Sequence, residues 1–371
     1  MDRVRLARHR VGLVALALAL VLLGGACGGR PSEPGPSHSP AVAKPTLRGA
    51  GATFPEPIYA KWFAEFQRTR GVAIDYQAVG SGSGIERFLA GTVDFAATDT
   101  PLTDTEVAAA AGRGGPVLHI PTVLGAVVVI YNLPGVRQAL KLDGELLAGL
   151  FQGKVTRWDA PAVARANPGV HLPALAVVPV HRADSSGTTA TFTRFLSQVS
   201  GQFKAQVGSA KQVRWPGGQA ATGSDGVAAQ VQQTSGAVGY VELNYALRNQ
   251  LTFAEVSNPA GRFMAPTIAS TSAAAKDLRA VPEDLRASLV GAREPTAYPI
   301  ATWTFLVVFR RQPDAARGAA LAQLLWYATH DAQTAAPDLE YAPLPAKVLP
   351  RIERHLRSIS GPDGRPLPGT G

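Results

Sequence analysis

Arg182-Ala183-Asp184-Ser185-Ser186-Gly187-Thr188-Thr189 lies between an apolar run, Leu175 to Val180, and an amphipathic run, Phe192 to Val199. The order is strand, tight polar turn, helix. The first N–H groups of a helix have no intrahelical acceptor, and the positive end of the helix dipole faces the same spot. Here Ser186, Gly187, Thr188 and Thr189 would supply those groups, with hydroxyl donors beside them. Arg182 adds a planar fork suited to paired oxygens, and Asp184 can hold that fork in place. The stretch reads as an anion cradle, or equally as an ordinary Ser N-cap beside a surface Arg–Asp pair. What weighs toward the cradle is that similar turns recur elsewhere in the chain.

Working outward, strand and helix signals alternate. Thr46 to Ala50 is a short strand ending in the turn Gly51-Ala52-Thr53-Phe54. Pro57 to Arg70 is a helix with Ile58, Trp62, Phe63 and Phe66 on one face, and Gly71 stops it. Val72, Ile74 and Tyr76 alternate along a strand that leads into Gly80-Ser81-Gly82-Ser83-Gly84 and a short helix from Ile85. Val93 to Ala97 is a strand ending in Thr98-Asp99, and Thr103 with Glu106 forms a capping box. Val117 to Asn132 reads as one or two buried strands broken near Gly125. Beyond the cradle, Gly236 to Glu242 and Thr302 to Phe309 are strands, and Ala315 to His330 is a helix. Ala273 to Ala280 and Glu283 to Val290 carry weaker helical patterns. Such alternation means an α/β fold with open, largely parallel sheets. Ligands of such sheets bind beyond the strand ends, where the helices begin. The turns at 51–54, 80–84, 98–99 and 182–188 all fall at strand ends and could converge on one small site.

The chain of 371 residues, 46% apolar, can form one large or two medium domains with a substantial core. Of the net charge of +9, Arg3, Arg5, Arg8 and Arg10 against Asp2 account for +3, leaving +6 from Cys27 onward. The basic residues are scattered, with no stripe interleaved with aromatics, which argues against nucleic acid as a partner. A basic start, the apolar run Val11 to Leu23, the small residues Gly24-Gly25-Ala26 and then Cys27 form a lipoprotein-type leader. Cleavage before Cys27 and its acylation are expected, so that the exported chain is anchored to the outer face of a bacterial membrane. Cys27 is the single cysteine, so no internal disulfide can form. Gly28 to Pro45, rich in Pro, Ser and Gly, reads as a tether.

The candidate donors suit a tetrahedral oxyanion: hydroxyls of Thr53, Ser81, Ser186 and Thr188, backbone N–H groups of Phe54, Gly187 and Thr188, and the charge of Arg182. Asp99 is the discriminating residue. A carboxylate facing an anion is costly unless it accepts a hydrogen bond. Phosphate near neutral pH still has a proton to give and sulfate has none, so an Asp in the cradle would select phosphate. Asp99 reads equally as an N-cap after a strand. A secreted phosphatase-like hydrolase is the enzyme alternative, and a receptor for another oxyanion is the binding alternative. Against the enzyme, Gly80 to Gly84 does not fit G-x-S-x-G, no P-loop Lys pattern occurs, and the histidines lack zinc-ligand spacing. No cofactor or metal is expected.

The run Gly49 to Pro55 followed by Ala60-Lys61-Trp62 resembles the start of the mature phosphate-binding proteins of bacterial ABC phosphate importers. The resemblance continues through Tyr76 to Gly84, Val93 to Asp99, Phe151-Gln152-Gly153-Lys154 with Trp158-Asp159, Arg182 to Thr188, and Gly236 to Glu242. It covers nearly all of Thr46 to Ile359. It implies a two-lobed periplasmic-binding-protein fold, type II-like, with discontinuous lobes joined by a hinge. The lobes would be 46–132 with 299–371, and 133–298, after a signal peptide at 1–26 and a tether at 27–45. The implied ligands of inorganic phosphate are Thr53, Phe54 through its N–H, Ser81, Asp99, Arg182, Ser186, Gly187 and Thr188, with Asp184 orienting Arg182. The implied partners are the membrane permease subunits of an ABC importer, the protein itself being a monomer and not an enzyme.

Overall fold

Strands form here where β-branched and apolar residues run together, and helices where a cap precedes an amphipathic run. The computed structural model describes residues 45–278 and 280–368, and the leader, Cys27 and the tether up to residue 44 lie outside them. The strands are β1 (Leu47–Gly51), β2 (Ile74–Ala78), β3 (Phe95–Thr98), β4 (Val117–Tyr131), β5 (Lys141–Leu142), β6 (Val178–Arg182), β7 (Gln219–Ala221), β8 (Ala237–Glu242), β9 (Thr252–Phe253), β10 (Glu255–Ser257), β11 (Phe263–Met264) and β12 (Ala301–Phe309). The α-helices are α1 (Glu56–Arg70), α2 (Ser81–Leu89), α3 (Asp104–Ala111), α4 (Gly144–Phe151), α5 (Pro161–Ala166), α6 (Gly187–Val199), α7 (Gly201–Gln206), α8 (Gly223–Gln233), α9 (Leu243–Arg248), α10 (Ile268–Lys276), α11 (Ala315–Thr329) and α12 (Leu349–Arg357).

One sheet runs β2-β1-β3-β12-β4-β8-β6-β7, with β9 also on β4, and a small sheet runs β11-β10-β5. β1 lies parallel to β2 and β3, and β6 lies parallel to β7 and β8. β12 is antiparallel to β3 and β4, and β4 is antiparallel to β8. The sheet is therefore mixed rather than largely parallel. Parallel pairing holds where a helix carries the chain back across a sheet face, and the antiparallel pairs are the long strands that join the two halves.

β4 is a single strand of 15 residues with no break at Gly125. Val117 to Ala126 pair with β12, and Val127 to Tyr131 pair with β8. Gly125 has a packing reason instead: a Cβ there would lie 2.2 Å from Cζ of Phe54. α2 starts at Ser81, one turn earlier than Ile85, because Gly80 takes φ 89° and turns the chain straight into the helix. It lies backbone against backbone on β1, since a Cβ on Gly84 would come within 2.4 Å of Gly51 Cα. Glu283 to Val290 is not helical; Leu285 sits at φ 60°, and Arg286 ties the turn to Asp104 and the Leu102 carbonyl. Trp62, Phe66, Trp303 and Phe305 are core residues, and burial of each such side chain contributes roughly 1.5–3 kcal/mol. No helix among the described residues is long and apolar enough to cross a membrane.

Candidate functional site

Four strand-to-helix turns meet at the division of the sheet. Arg182 ends β6 and is 5% exposed. Its Nε donates to Asp184 Oδ1 at 2.8 Å, and a second guanidinium nitrogen donates to Oδ2. The Gly223 N–H also donates to Asp184, at 3.0 Å. So clamped, the guanidinium turns its remaining Nη1 toward Ser224 Oγ (3.3 Å) and Thr188 Oγ1 (3.5 Å). Ser186 caps α6 by accepting from the Thr189 N–H at 3.2 Å, and its own N–H goes to the Lys211 carbonyl.

The other half of the sheet reaches the same spot. Thr53 Oγ1 is 3.0 Å from Ser224 Oγ. Ser81 Oγ accepts from the Gly187 N–H at 3.1 Å, and the Gly82 N–H donates to the Ser185 carbonyl at 2.9 Å. Asp99 is 1% exposed, and its Oδ1 accepts from Thr304 Oγ1 at 3.0 Å. A Cβ on Gly187 would lie 2.7 Å from Asp99 Oδ2 and 2.7 Å from Ser81 Oγ. Thr53, Ser81, Asp99, Arg182, Ser186, Gly187 and Thr188 are thus brought to one spot, with Asp184 behind Arg182. The Phe54 ring packs against Tyr341, and its carbonyl accepts from the Tyr341 hydroxyl at 2.6 Å. Among the described residues the Phe54 and Thr188 N–H groups have no protein acceptor. The Thr53 carbonyl is held by the Tyr245 hydroxyl at 2.7 Å.

Burial dominates the electrostatics. It pushes the Asp99 carboxyl well above the usual carboxylate range, Glu242 adds to the rise, and Thr304, Arg182 and Ser81 oppose it. For Arg182, burial works against the charge, but the bonds and charge of Asp184 outweigh it and the pKa stands above normal. For Asp184, burial raises and Arg182 lowers, and the lowering wins. The site therefore holds one firm ion pair, and beside it two carboxyls, Asp99 and Glu242, whose ionisation burial makes harder than in water.

Two side chains at this spot carry no role in the sequence reading. Ser224 follows a Thr-Gly turn at the end of β7 and bonds both Thr53 and Arg182. Glu242 ends β8, is 1% exposed, and accepts from Thr188 Oγ1 at 2.7 Å. The position of each at a strand end, beside a helix start, is the same signal that marks Thr53, Ser81 and Asp99. Next to Asp99 lies a polar cleft of about 310 Å³, whose lining includes Thr191, Arg194, Arg286 and Thr302. His181 turns away from the cradle and stacks on Trp215, ring centres 5.3 Å apart.

Residues 35–331 match the family model of the PBP superfamily domain. The chain is 37% identical over 333 residues to the phosphate-binding protein PstS of Xylella fastidiosa, covering 88% of this chain and 90% of that protein. It is 37% identical over 327 residues to PstS of Pasteurella multocida, covering 87% of this chain and 93% of that protein. Among solved structures it is similar to the periplasmic phosphate-binding protein PfluDING, with a TM-score of 0.67 at 23% identity over 83% of this chain and 93% of that one. That last likeness bears on the fold, which is the two-lobed binding-protein architecture. With a matched domain across most of its length and relatives of this identity over nearly their whole length, the chain belongs to the PstS phosphate-binding proteins of the PBP superfamily.

Proposed function

We propose that this protein is an extracytoplasmic substrate-binding protein that captures inorganic phosphate between its lobes and delivers it to an ABC importer. It is a binding protein and not an enzyme. The observation that carries the reading is the buried meeting of hydroxyl and N–H donors, one clamped guanidinium and one carboxyl, Asp99. Thr53, Phe54, Ser81, Asp99, Arg182, Ser186, Gly187 and Thr188 are the proposed ligands, with Asp184 as the clamp. Apart from Asp99, which accepts, these groups are donors and Arg182 is the one cation among them, so the anion would be held by directed hydrogen bonds rather than by a massed positive field. The hinge would run through β4, where it changes partner between Ala126 and Val127, and through the return at residues 299–301. Membrane attachment through lipidated Cys27 and a monomeric state belong to the same proposal. Cys27→Ala should release the protein from membranes, and persistent association would point to an uncleaved anchor.

Calorimetry tests the central claim. Protein freed of bound phosphate by unfolding and refolding is titrated with phosphate, then with sulfate. Tight one-to-one binding of phosphate with no sulfate signal is expected. Binding of both would leave the cradle but remove the role given to Asp99, and binding of neither would refute the assignment.

A further inference from the structure

Resting on the reading of Thr188 as a ligand of the anion, we propose that Glu242 is a positioning residue of the site and must hold a proton for Thr188 to grip phosphate. The argument begins with one hydrogen. Thr188 Oγ1 lies 2.7 Å from Glu242 Oε1, and Arg182 Nη1 approaches the same hydroxyl oxygen from another side at 3.5 Å. An ionised carboxylate is acceptor-only, so against it the Thr188 hydrogen must point at Glu242. Thr188 would then turn only lone pairs toward the anion, which repel it. A neutral carboxyl reverses the bond. Its O–H donates to Thr188 Oγ1, and the Thr188 hydrogen is released toward phosphate.

The surroundings favour the neutral form. Glu242 Oε2 is buried and has no hydrogen-bond partner among the described residues, a costly state for a charged oxygen. The groups that face Glu242 are Arg182 from β6, Asp99 at the end of β3, Tyr245 from α9 and Tyr341. α6 and α8 present the hydroxyls of Thr188 and Ser224, and β4 pairs the apolar Val127 opposite. Arg182, the one cation among them, is already committed to Asp184. Burial outweighs these hydroxyls and Arg182, and the Glu242 carboxyl is raised above its ordinary range. Below the raised value that proton is already in place; above it, capture of phosphate takes up one proton onto Glu242, from solvent or from dihydrogen phosphate. Affinity falls as pH rises through the raised value.

The test is calorimetric titration of the purified protein with inorganic phosphate across pH 5.5–9, in pairs of buffers with different ionisation enthalpies. Each pair counts the protons taken up, and the titration of phosphate itself cancels between variants. Glu242→Gln keeps an N–H donor toward Thr188 at every pH. It should bind phosphate with up to one proton fewer taken up and with a flatter pH profile than wild type. In the Thr188→Val background the same Glu-to-Gln change should no longer alter proton uptake, since the hydroxyl that transmits it is gone. Equal proton counts and equal profiles for wild type and Glu242→Gln would overturn the proposal while leaving the phosphate site intact. Failure of wild type itself to bind phosphate would overturn both.

Discussion

Asp99 and Glu242 sit where ionisation is least favoured, and their protonation links grip to stability. Both have a folded-state pKa above the unfolded one, so the folded chain holds more protons across that interval. Their contribution to stability is then fully present below the ordinary carboxylate value near ~4 and is lost as pH rises through the raised values. Asp99→Asn should raise the melting temperature of the phosphate-free protein at pH 7.5, with the gain shrinking toward pH 4 in calorimetric scans. The same variant should lose discrimination against sulfate, because an amide N–H can donate to an anion that has no proton of its own. A lower melting temperature in Asp99→Asn would mean that the bonds from Thr304 and Ser81 outweigh the cost of burying the charge. Arg182→Ala should weaken phosphate binding by at least ~1.5 kcal/mol, about tenfold, since it removes a charged donor and leaves Asp184 with a lost partner. Wild-type affinity in that variant would place the anion elsewhere.

At the level of elements, two glycines permit close approaches that no other residue would. Gly187 opens α6 against Asp99 and Ser81, and its backbone is helical. Gly187→Ala should lower phosphate affinity by at least tenfold, ~1.4 kcal/mol, and also cost about 1–3 kcal/mol of stability, since the new Cβ meets buried Asp99 and Ser81. Gly84 lies against the β1 backbone, which has no side chain to swing aside. Gly84→Ala should cost about 1–3 kcal/mol of stability, seen as a fall of roughly 2–4 °C per kcal/mol. The turns themselves were legible because Gly, Ser and Thr clustered after apolar runs mark strand ends wherever they occur. Glu242 was not, because a Glu before Leu243-Asn244 reads as a solvated helix start. Only the pairing of Glu242 with Val127 and its bond to Thr188 bring it into the site, and neither is local in sequence. The same holds for β4: Gly125 looks like a break until β12 and β8 are laid beside it. Glu283 to Val290 has a helical pattern but follows Pro282, and contacts with α3 decide its path.

For the whole molecule, an ion pair joins α3 to the segment between α7 and β7. Lys211 Nζ contacts both carboxylate oxygens of Glu106, at 2.8 and 3.0 Å, and the Lys211 carbonyl takes the N–H of Ser186 at the cradle. Burial raises the Glu106 pKa, but Lys211 and Thr103 lower it by more, so the carboxylate stays ionised to lower pH than an ordinary one and the link is lost as pH falls through the depressed value. Lys211→Met should speed phosphate release several-fold in stopped-flow measurements and remove the salt dependence of the release rate. An unchanged rate would mean that this link forms and breaks without governing opening. The crossing at β4 has a different consequence. With the proposed hinge at β4, a continuous strand serves both halves, so opening would wring that strand rather than slacken a linker. The balance of open and closed forms is then a stiffness, an elastic property spread over many weak bonds. Gly125 at that point lies against the ring of Phe54, a proposed ligand of the anion, so the spring and the grip would share a residue and neither could be retuned alone.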